Sequence, residues 1–258
     1  MTQWVDLQIK DNVGRLTLLR DEKHHALHPE MIGEILEVFT ELQSNKSIKI
    51  VVVQSTGKTF CAGADLDWMK NSINDSRDQN EASAKQLYDM YHAIFSCPKP
   101  VIGRVQGSAF GGGVGLISCM DVAIMRSDAH LSLSELKLGL IPSTIAPFLL
   151  RKVGMRNLRY YGLCSQRIPA SEGQQIGLIH QIVTSDEELD EQVQKYIDMF
   201  LGLSPQAIAR YKKMCEDIAK LSIHEAKEIT SVEIADIRTT KEAQEGLSAF
   251  FEKRKPNW

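Results

Sequence analysis

The chain has 258 residues, of which 43% are hydrophobic and 24% charged, and its formal net charge is −3 at pH 7. This length suits one large domain or two small ones with a sizeable core. There is no basic excess and no arginine-rich stretch interleaved with aromatic residues, so we expect no nucleic-acid partner.

The cysteines and the N-terminal residues bear on the cellular compartment. Five scattered cysteines, an odd number without close pairs, favour reduced thiols in a cytosol-like environment. Residues 1–6 lack a basic stretch followed by an apolar one, and no run approaches the roughly 20 apolar residues that span a bilayer. We therefore expect a soluble, cytoplasmic protein with no membrane partner.

The first elements predicted along the chain are a hairpin, a helix and a strand. Alternating side chains at residues 5–9 and 15–19 predict a β-hairpin at the edge of a sheet. Residues 28–42 carry apolar side chains close to a 3.6-residue period and predict a helix, whose first turn suits Pro29. The β-branched run at residues 48–53 predicts a buried strand.

The middle of the chain repeats a strand, loop and helix order. Residues 101–105 predict a strand, residues 114–120 a helix and residues 122–125 another strand. This recurrence, which has no repeated sequence period, predicts stacked β-rich units with helices outside. The sequence is thus typical of the α/β class.

Two further segments differ in polarity and in predicted order. Residues 70–84 are mostly polar and predict a mobile loop or a frayed helix. From residue 186 to the end the pattern is almost wholly helical, with one break at Gly202 and Pro205. Residues 229–237 and 241–251 form amphipathic helical stretches within this region.

Two glycine-bearing segments, residues 60–66 (FCAGADL) and 109–115 (AFGGGVG), each follow a predicted strand and open a helical pattern. Their N–H groups are not blocked by bulky side chains, so both helix starts are suited to stabilising one developing negative charge. A thioester carbonyl that becomes an enolate carries such a charge. Glycines in tight turns or close helix packing give the same pattern, so both interpretations stay open.

Glu135 is the main acid/base candidate, because it lies among leucines in a segment expected to be largely buried. Burial raises the pKa of a carboxyl group toward the range that proton transfer near neutral pH requires. The alternative from the residues alone is an ion pair with Lys137 or a position at the surface.

Other patterns exclude two classes of site and suggest a helix cap. His24, His25 and His28 lack acidic or cysteine partners at motif spacing, so we predict no metal site. No Gly-x-Ser-x-Gly motif surrounds Ser108, which argues against a serine acyl hydrolase. Asp65 and Asp67 are expected to cap or orient the helix that follows.

Four segments in one order resemble the crotonase, or enoyl-CoA hydratase/isomerase, superfamily: the two glycine segments, residues 132–142 (SLSELKLGLIP) and residues 246–256 (GLSAFFEKRKP). The resemblance runs from about residue 5 to the end. It implies a crotonase-like ββα spiral core over residues 1–195. It also implies a C-terminal helical region over residues 196–258 that helps build a homotrimer, usually paired into a homohexamer.

The resemblance implies that the amides of Ala64 and Gly112 hold a thioester oxygen while Glu135 transfers protons. The substrate would be an acyl-CoA, with no cofactor beyond the coenzyme A that it carries. Contacts with substrate are implied for Lys23, His25, Ala62, Gly63, Asp65, Leu66, Gly111, Gly115, Ser134, Pro142, Phe250 and Lys253. Lys253 would meet the ribose phosphate, often from a neighbouring subunit, although residues 253–255 are also typical of a solvated tail.

Two positions depart from the family's pattern. His25 stands where an asparagine is more usual, and Gly115 stands where two-glutamate hydratases carry their other acid/base glutamate. Three explanations of Gly115 remain open: Glu135 performs both proton transfers, the substrate contributes a group, or the enzyme is not a hydratase.

The glycine segments and residues 134–147 resemble methylglutaconyl-CoA hydratases and geranoyl-type relatives, whose substrates carry a second carboxylate. Our leading hypothesis is therefore a lyase that adds water to the α,β double bond of a branched acyl-CoA, as in leucine degradation. An isomerase that moves a β,γ double bond with the single Glu135 is the first alternative. A noncatalytic acyl-CoA-binding protein is the second.

Overall fold

The computed structural model describes residues 3–258, which form ten strands in two sheets. The strands are β1 (Val5–Lys10), β2 (Val13–Leu18), β3 (Ile50–Ser55), β4 (Thr59–Cys61), β5 (Val101–Val105), β6 (Ser108–Phe110), β7 (Val122–Arg126), β8 (His130–Ser132), β9 (Arg167–Pro169) and β10 (Gln181–Val183). The large sheet has the order β1-β2-β3-β5-β7-β10, and the small sheet has the order β4-β6-β8-β9.

The helices surround these sheets and extend beyond them at the C-terminal end. They are α1 (Pro29–Ser44), α2 (Leu66–Asn71), α3 (Arg77–Phe95), α4 (Gly112–Cys119), α5 (Ala146–Cys164), α6 (Ala170–Gln175), α7 (Asp186–Leu201), α8 (Pro205–Ile218), α9 (Ala226–Arg238) and α10 (Lys241–Phe251). Short 3-10 helices lie at Asp21–Lys23, Ser72–Asn74 and Glu135–Leu138. Gly154 has a non-helical backbone and kinks α5.

The strand order confirms the α/β class and gives a repeating ββα unit. β3, β5 and β7 lie in the large sheet, and each is followed by a strand of the small sheet and then by helix. The pairings among β2, β3, β5, β7 and β10 are parallel, as are those among β4, β6 and β8. The predicted hairpin is confirmed: β1 pairs antiparallel with β2 and forms the edge of the large sheet.

The central strands β3, β5 and β7 of the large sheet are buried on both faces, which explains their largely apolar sequences. In β3, Val51 and Val53 face the main core, while Ile50 and Val52 face a second core. The second core is closed by α7, through Leu189, Val193 and Ile197. Successive side chains of a strand point to opposite faces, so one short run of valine and isoleucine supplies both layers.

The polar segment 70–84, predicted to be a mobile loop or a frayed helix, is helical over most of its length. After α2 and a 3-10 turn, α3 begins at Arg77. Ser76 caps α3 through the Gln79 amide, and the Gln79 side chain accepts from the Ser76 amide, which completes a capping box. Most side chains in the first turns of α3 are exposed to solvent. The polar residues there are therefore explained by an exposed helix surface.

The helical character predicted from residue 186 onward is confirmed, but the described chain has more breaks there than the single one expected. Turns at residues 202–204, 219–225 and 239–240 separate α7 to α10. Ser204 and Thr240 begin new helices as N-caps. The expected boundary at residue 195 lies inside α7, which packs on the large sheet, so the break before α8 is the better limit of the core.

Candidate active site

The start of α2, the start of α4, one face of α3 and the 3-10 helix at Glu135–Leu138 enclose a cavity of about 340 Å³. Most of the predicted site residues line this one cavity: Ala62, Gly63, Ala64, Leu66, Gly111, Gly112, Ser134, Glu135 and Pro142. The structure therefore brings together three segments that are far apart in sequence. Lys23, His25, Asp65, Gly115, Phe250 and Lys253 are not among the lining residues.

The first of the two predicted oxyanion amides, that of Ala64, belongs to the loop between β4 and α2. Leu27 donates its amide to the Gly63 carbonyl at 2.7 Å, and Asp65 donates to the Leu27 carbonyl at 2.8 Å. Alternate N–H groups of an extended segment point to opposite sides, so these two bonds turn the Ala64 N–H away from Leu27. In the part of the chain that the structure describes, the Ala64 amide has no acceptor.

The second oxyanion amide is that of Gly112, the first residue of α4. As an N-terminal helical amide it has no acceptor within its own helix, and none is found elsewhere in residues 3–258. The two glycine segments are adjacent, because a Cβ atom built on Gly63 would lie 3.4 Å from the Gly112 nitrogen. Two unpartnered N–H groups from separate loops are thus neighbours at the wall of one cavity.

Gly111 connects the second amide to Glu135. Its φ of +45° is unfavourable for residues with a side chain, and its amide donates to the Ser132 carbonyl at 2.8 Å. A Cβ atom on Gly111 would lie 2.9 Å from Oε1 of Glu135. Glycine at this position therefore leaves room for the carboxyl group beside the turn.

Glu135 begins the 3-10 helix and presents its carboxyl group at the cavity. Oε2 is buried and has no hydrogen-bond partner within residues 3–258. Burial raises the pKa of this carboxyl group above its usual value, since the charged form loses hydration. A buried carboxyl oxygen without a partner is costly, and such groups are concentrated at functional sites.

The space beside Gly115 is filled by Ile145. A Cβ atom on Gly115 would lie 2.2 Å from Cγ2 of Ile145 and 3.0 Å from Cζ of Tyr91. Gly115 is buried and is not among the residues that line the cavity, so its contact with substrate stays a prediction. The place where the family's other glutamate would begin is therefore closed by a methyl group.

His25 and Asp65, which the sequence also predicted to contact substrate, both have protein partners in this structure. His25 is fully buried, and its ring nitrogens lie 3.0 Å from the Thr59 carbonyl and from the Thr56 hydroxyl. Burial lowers the pKa of His25, which favours the neutral ring. Both ring nitrogens of His25 thus have protein partners, and its contact with substrate stays a prediction.

Asp65 caps α2 by accepting from the Trp68 amide at 2.9 Å, as the sequence predicted. It also pairs with buried Arg20 at 2.6 Å, and Arg20 donates to the Ala26 carbonyl at 2.8 Å. Burial alone would raise the pKa of Asp65, but the bonds from Trp68 and Arg20 hold it below its usual value. The ion pair thereby fixes the residue that follows the Ala64 amide.

The remaining predicted contacts lie outside this cavity. Lys23 is exposed and bonds to Asp67 at 3.0 Å, which raises the pKa of Lys23. Phe250 is 76% exposed, and Lys253 follows α10. Nearby, Trp258 donates to the Gly202 carbonyl at 2.9 Å and accepts from Lys49. The end of the tail is thus held against its own subunit, and the predicted contact of Lys253 with the ribose phosphate, often of a neighbouring subunit's ligand, stays a prediction.

One wall of the cavity was not foreseen from the sequence. It is a single face of α3, formed by Asn80, Ser83, Ala84, Leu87 and Tyr91. Their spacing of three and four residues is a helical signal, but it lies partly in the segment expected to be a loop. Ile145 and the apolar rim residues Leu138, Leu140 and Ile141 were also missed.

The chemistry of the lining is limited to amides, hydroxyls, one carboxyl group and apolar groups. Of the described residues, no lysine, arginine or histidine lines the cavity. Within residues 3–258 no three histidine, cysteine or acidic side chains are grouped as metal ligands. None of the helices described is both long and apolar enough to cross a bilayer. The arrangement is suited to stabilising an oxyanion while one carboxyl group moves a proton.

Known proteins share this architecture. The family model described as enoyl-CoA hydratase/isomerase matches residues 8–258. The crystal structure of an enoyl-CoA hydratase from Shewanella pealeana is 38% identical, with a TM-score of 0.96 over 100% of this chain and 96% of that chain.

Two relatives with different printed activities are similar over nearly their whole length. The bacillaene synthase dehydratase PksH of Bacillus subtilis is 27% identical over 99% of this chain and 96% of its own. The peroxisomal Delta(3,5)-Delta(2,4)-dienoyl-CoA isomerase of Arabidopsis thaliana is 27% identical over 96% of this chain and 92% of its own. A dehydratase and an isomerase are thus equally similar to this chain in sequence identity, so identity at this level does not distinguish the two activities.

Proposed function

This chain belongs to the enoyl-CoA hydratase/isomerase family, and from that premise we propose that it adds water to the α,β double bond of an acyl-CoA. The observation that carries the proposal is the buried, unpartnered Oε2 of Glu135, in one cavity with the free amides of Ala64 and Gly112. Donors and an acid/base group at one site match the needs of a reaction that passes through an enolate.

In the proposed reaction the thioester oxygen accepts hydrogen bonds from Ala64 and Gly112. Water adds its oxygen to C3 while the Glu135 carboxylate takes the released proton, and the electron pair of the double bond moves to the thioester oxygen. The enolate then collapses, and C2 receives a proton from the Glu135 carboxyl group. The carboxylate is regenerated, so one water molecule is consumed and no other reactant is needed.

One carboxyl group is sufficient here because it acts first as base and then as acid. Burial raises the pKa of Glu135 toward the working pH, which brings its charged and neutral forms closer in free energy. The apolar contact between Ile145 and Gly115 leaves no room for a second carboxylate at the usual place. Both proton transfers are therefore assigned to Glu135.

Mass spectrometry of the product formed from crotonyl-CoA tests this assignment, because hydration adds the mass of one water. We expect the 3-hydroxyacyl-CoA to form with the wild type and to be nearly absent with Glu135→Gln. Equal hydration by the two proteins would exclude Glu135 as the acid/base group.

For the finer substrate we propose a branched carboxy-acyl-CoA such as 3-methylglutaconyl-CoA. The support is the likeness of the glycine segments and of residues 134–147 to hydratases for such substrates. No cation lines the described cavity, so the second carboxylate would be held by neutral donors, among them Ser134 and Thr144.

The matched substrate for a test is 3-methylcrotonyl-CoA, which has the same branched double bond and lacks only the carboxylate. We expect a higher kcat/KM for 3-methylglutaconyl-CoA than for either 3-methylcrotonyl-CoA or crotonyl-CoA. Equal or better turnover of crotonyl-CoA would remove the carboxy-acyl assignment and leave the hydratase proposal intact.

An isomerase is the second candidate, and the closed space at Gly115 favours it. A single carboxylate is sufficient to carry a proton from C2 to C4 of a 3-enoyl-CoA, and an apolar Ile145 helps exclude water. Incubation with a 3-enoyl-CoA and with a 2-enoyl-CoA separates the two activities, since only the hydratase incorporates water. Absence of turnover with both substrates would favour the noncatalytic acyl-CoA-binding alternative.

We further propose that the chain acts in the cytoplasm as a homotrimer or a dimer of trimers. Exposed Leu247, Phe250 and Phe251 on α10 support an apolar contact between subunits, and all five cysteines are free thiols. Light scattering after size exclusion should give three or six times the 28.9 kDa chain mass. A monomer at micromolar concentration would exclude this assembly.

A further inference from the structure

Tyr91, at the wall of the cavity, joins α3 to the first turn of α4. Its side chain is fully buried, and its hydroxyl donates to the Gly112 carbonyl at 2.9 Å. We propose that Tyr91 is a positioning residue, which fixes the Gly112 amide in the orientation that stabilises the substrate's developing oxyanion. This inference rests on the proposed function of the same cavity.

The phenol lies against the glycine turn at more than one point. A Cβ atom on Gly112 would lie 2.8 Å from the Tyr91 hydroxyl, and one on Gly115 would lie 3.0 Å from Cζ of the ring. On its other side the ring packs on Phe148, with centroids 6.1 Å apart. Because side chains in a close-packed interior resist displacement, the Tyr91 hydroxyl is held in one position beside the turn.

The turn's own restraints come from the backbone, because the Gly111 carbonyl accepts from the Val114 and Gly115 amides at 2.9 and 3.1 Å, and no side chain adds to them. α4 begins with consecutive glycines, has the N-cap Gly111 at φ +45°, and lacks a side-chain capping bond. Glycine backbones have the most conformational freedom to lose on ordering. The hydrogen bond from α3 adds a restraint on the Gly112–Gly113 peptide unit, and so limits rotation about the Gly112 α-carbon that joins this unit to the Gly112 amide.

The protonation state of Tyr91 suits this role. Burial, with the nearby acidic groups including Glu135, raises the pKa of Tyr91 well above its usual value. The phenol therefore keeps its proton and remains a donor over the whole working range of pH. It contributes geometry, and Glu135 alone exchanges protons with the substrate.

Tyr91→Phe keeps the ring and removes only the hydroxyl. Tyr88→Phe is its matched control, because Tyr88 lies one turn earlier on α3 and packs on the same Phe148. The Tyr88 hydroxyl makes no hydrogen bond to any described residue. The two variants therefore differ in whether the bond to the Gly112 carbonyl is lost.

The probes are acetoacetyl-CoA, which forms an enolate, and butyryl-CoA, which has the same chain length and forms none readily. For Tyr91→Phe we expect roughly tenfold weaker binding of acetoacetyl-CoA, a small part of the roughly hundred- to thousandfold effect of losing an oxyanion donor entirely. Butyryl-CoA affinity should stay unchanged, and kcat should fall by a similar factor at constant KM. Tyr88→Phe should match the wild type.

Both ligands are titrated against the same sample, so the ratio of their affinities is independent of the folded fraction. Equal weakening of both ligands, or no weakening, in Tyr91→Phe would overturn the positioning role. If the wild type itself fails to prefer acetoacetyl-CoA, the oxyanion site and the proposed function fail together with this role. The wild-type measurement thus separates failure of the function from failure of the inference.

Discussion

Ile145 occupies the position that a side chain on Gly115 would need, since a Cβ atom on Gly115 would lie 2.2 Å from Cγ2 of Ile145. The contact joins the middle of α4 to the residue that precedes α5. The space in which a glutamate side chain at position 115 would begin is filled by the apolar side chain of Ile145. A side chain at position 115 and the isoleucine at position 145 therefore compete for the same space.

Gly115→Glu tests this relationship. We expect the single variant to lose roughly 1–3 kcal/mol of unfolding free energy, because overpacking a core forces its neighbours apart. Combining it with Ile145→Ala should recover part of the stability and should raise crotonyl-CoA hydration above that of Gly115→Glu alone. Denaturant unfolding and initial rates measure the two effects, with Ile145→Ala as the control. A single variant as stable as the wild type would contradict the described packing.

Glu135→Gln should lower kcat by roughly a hundred- to ten-thousandfold, as expected for loss of an acid/base group. Glutamine keeps the shape of the side chain, so the affinity for butyryl-CoA should change little. Glu37→Gln on the exposed face of α1 is the matched control and should retain full activity. A Glu135→Gln enzyme with more than a tenth of wild-type kcat would require another proton carrier.

The pH dependence of stability should differ between Glu135→Gln and the wild type. The folded-state pKa of Glu135 is raised by burial above the unfolded value near 4.5. Its favourable contribution is therefore complete below the unfolded pKa and is lost as pH rises through the folded pKa. Glu135→Gln should match the wild type at about pH 4 and be the more stable protein at about pH 8.

Urea unfolding of both proteins at the two pH values measures this difference. Glu37→Gln removes a carboxyl group from an exposed position and should show no comparable gain at the higher pH. A Glu135→Gln protein that is less stable than the wild type at the higher pH would show that the carboxylate is stabilised in the fold.

Gly111→Ala should remove activity by two routes. It forces a Cβ atom onto a residue at φ +45°, and it brings that atom to 2.9 Å from Oε1 of Glu135. Gly177→Ala is the control, because it has φ +83° but meets no other atom closer than the Lys152 carbonyl oxygen at 3.4 Å. Both variants should lose stability, and only Gly111→Ala should lose most of its kcat. Similar rates in the two variants would argue against close contact between Gly111 and Glu135.

Elements whose sequence pattern is local were predicted well. The strand at residues 101–105 and the helix at residues 241–251 match β5 and α10 at both ends. A β-branched run buried on both faces and an amphipathic helix after an N-cap threonine each carry their signal in neighbouring residues. The glycine turns were recognised for the same reason.

The features that the sequence did not predict depend on contacts between distant segments. No local pattern shows that Ile145 packs on Gly115, or that the Tyr91 hydroxyl reaches the Gly112 carbonyl. His25 was assigned to the substrate from its place in the chain, whereas its ring turns inward to Thr56 and Thr59. Side-chain direction is set by packing, which a single sequence does not display.

The buried ion pair of Arg20 with Asp65 links the edge hairpin to the Ala64 loop. Arg20 lies just after β2, the strand next to the edge strand β1, and near the border of the large sheet. Heating that breaks the Arg20–Asp65 ion pair would let the loop that carries Ala64 change its conformation while the core stays folded. Heat inactivation should therefore precede global melting, and the border of the sheet would set the upper working temperature of the catalyst.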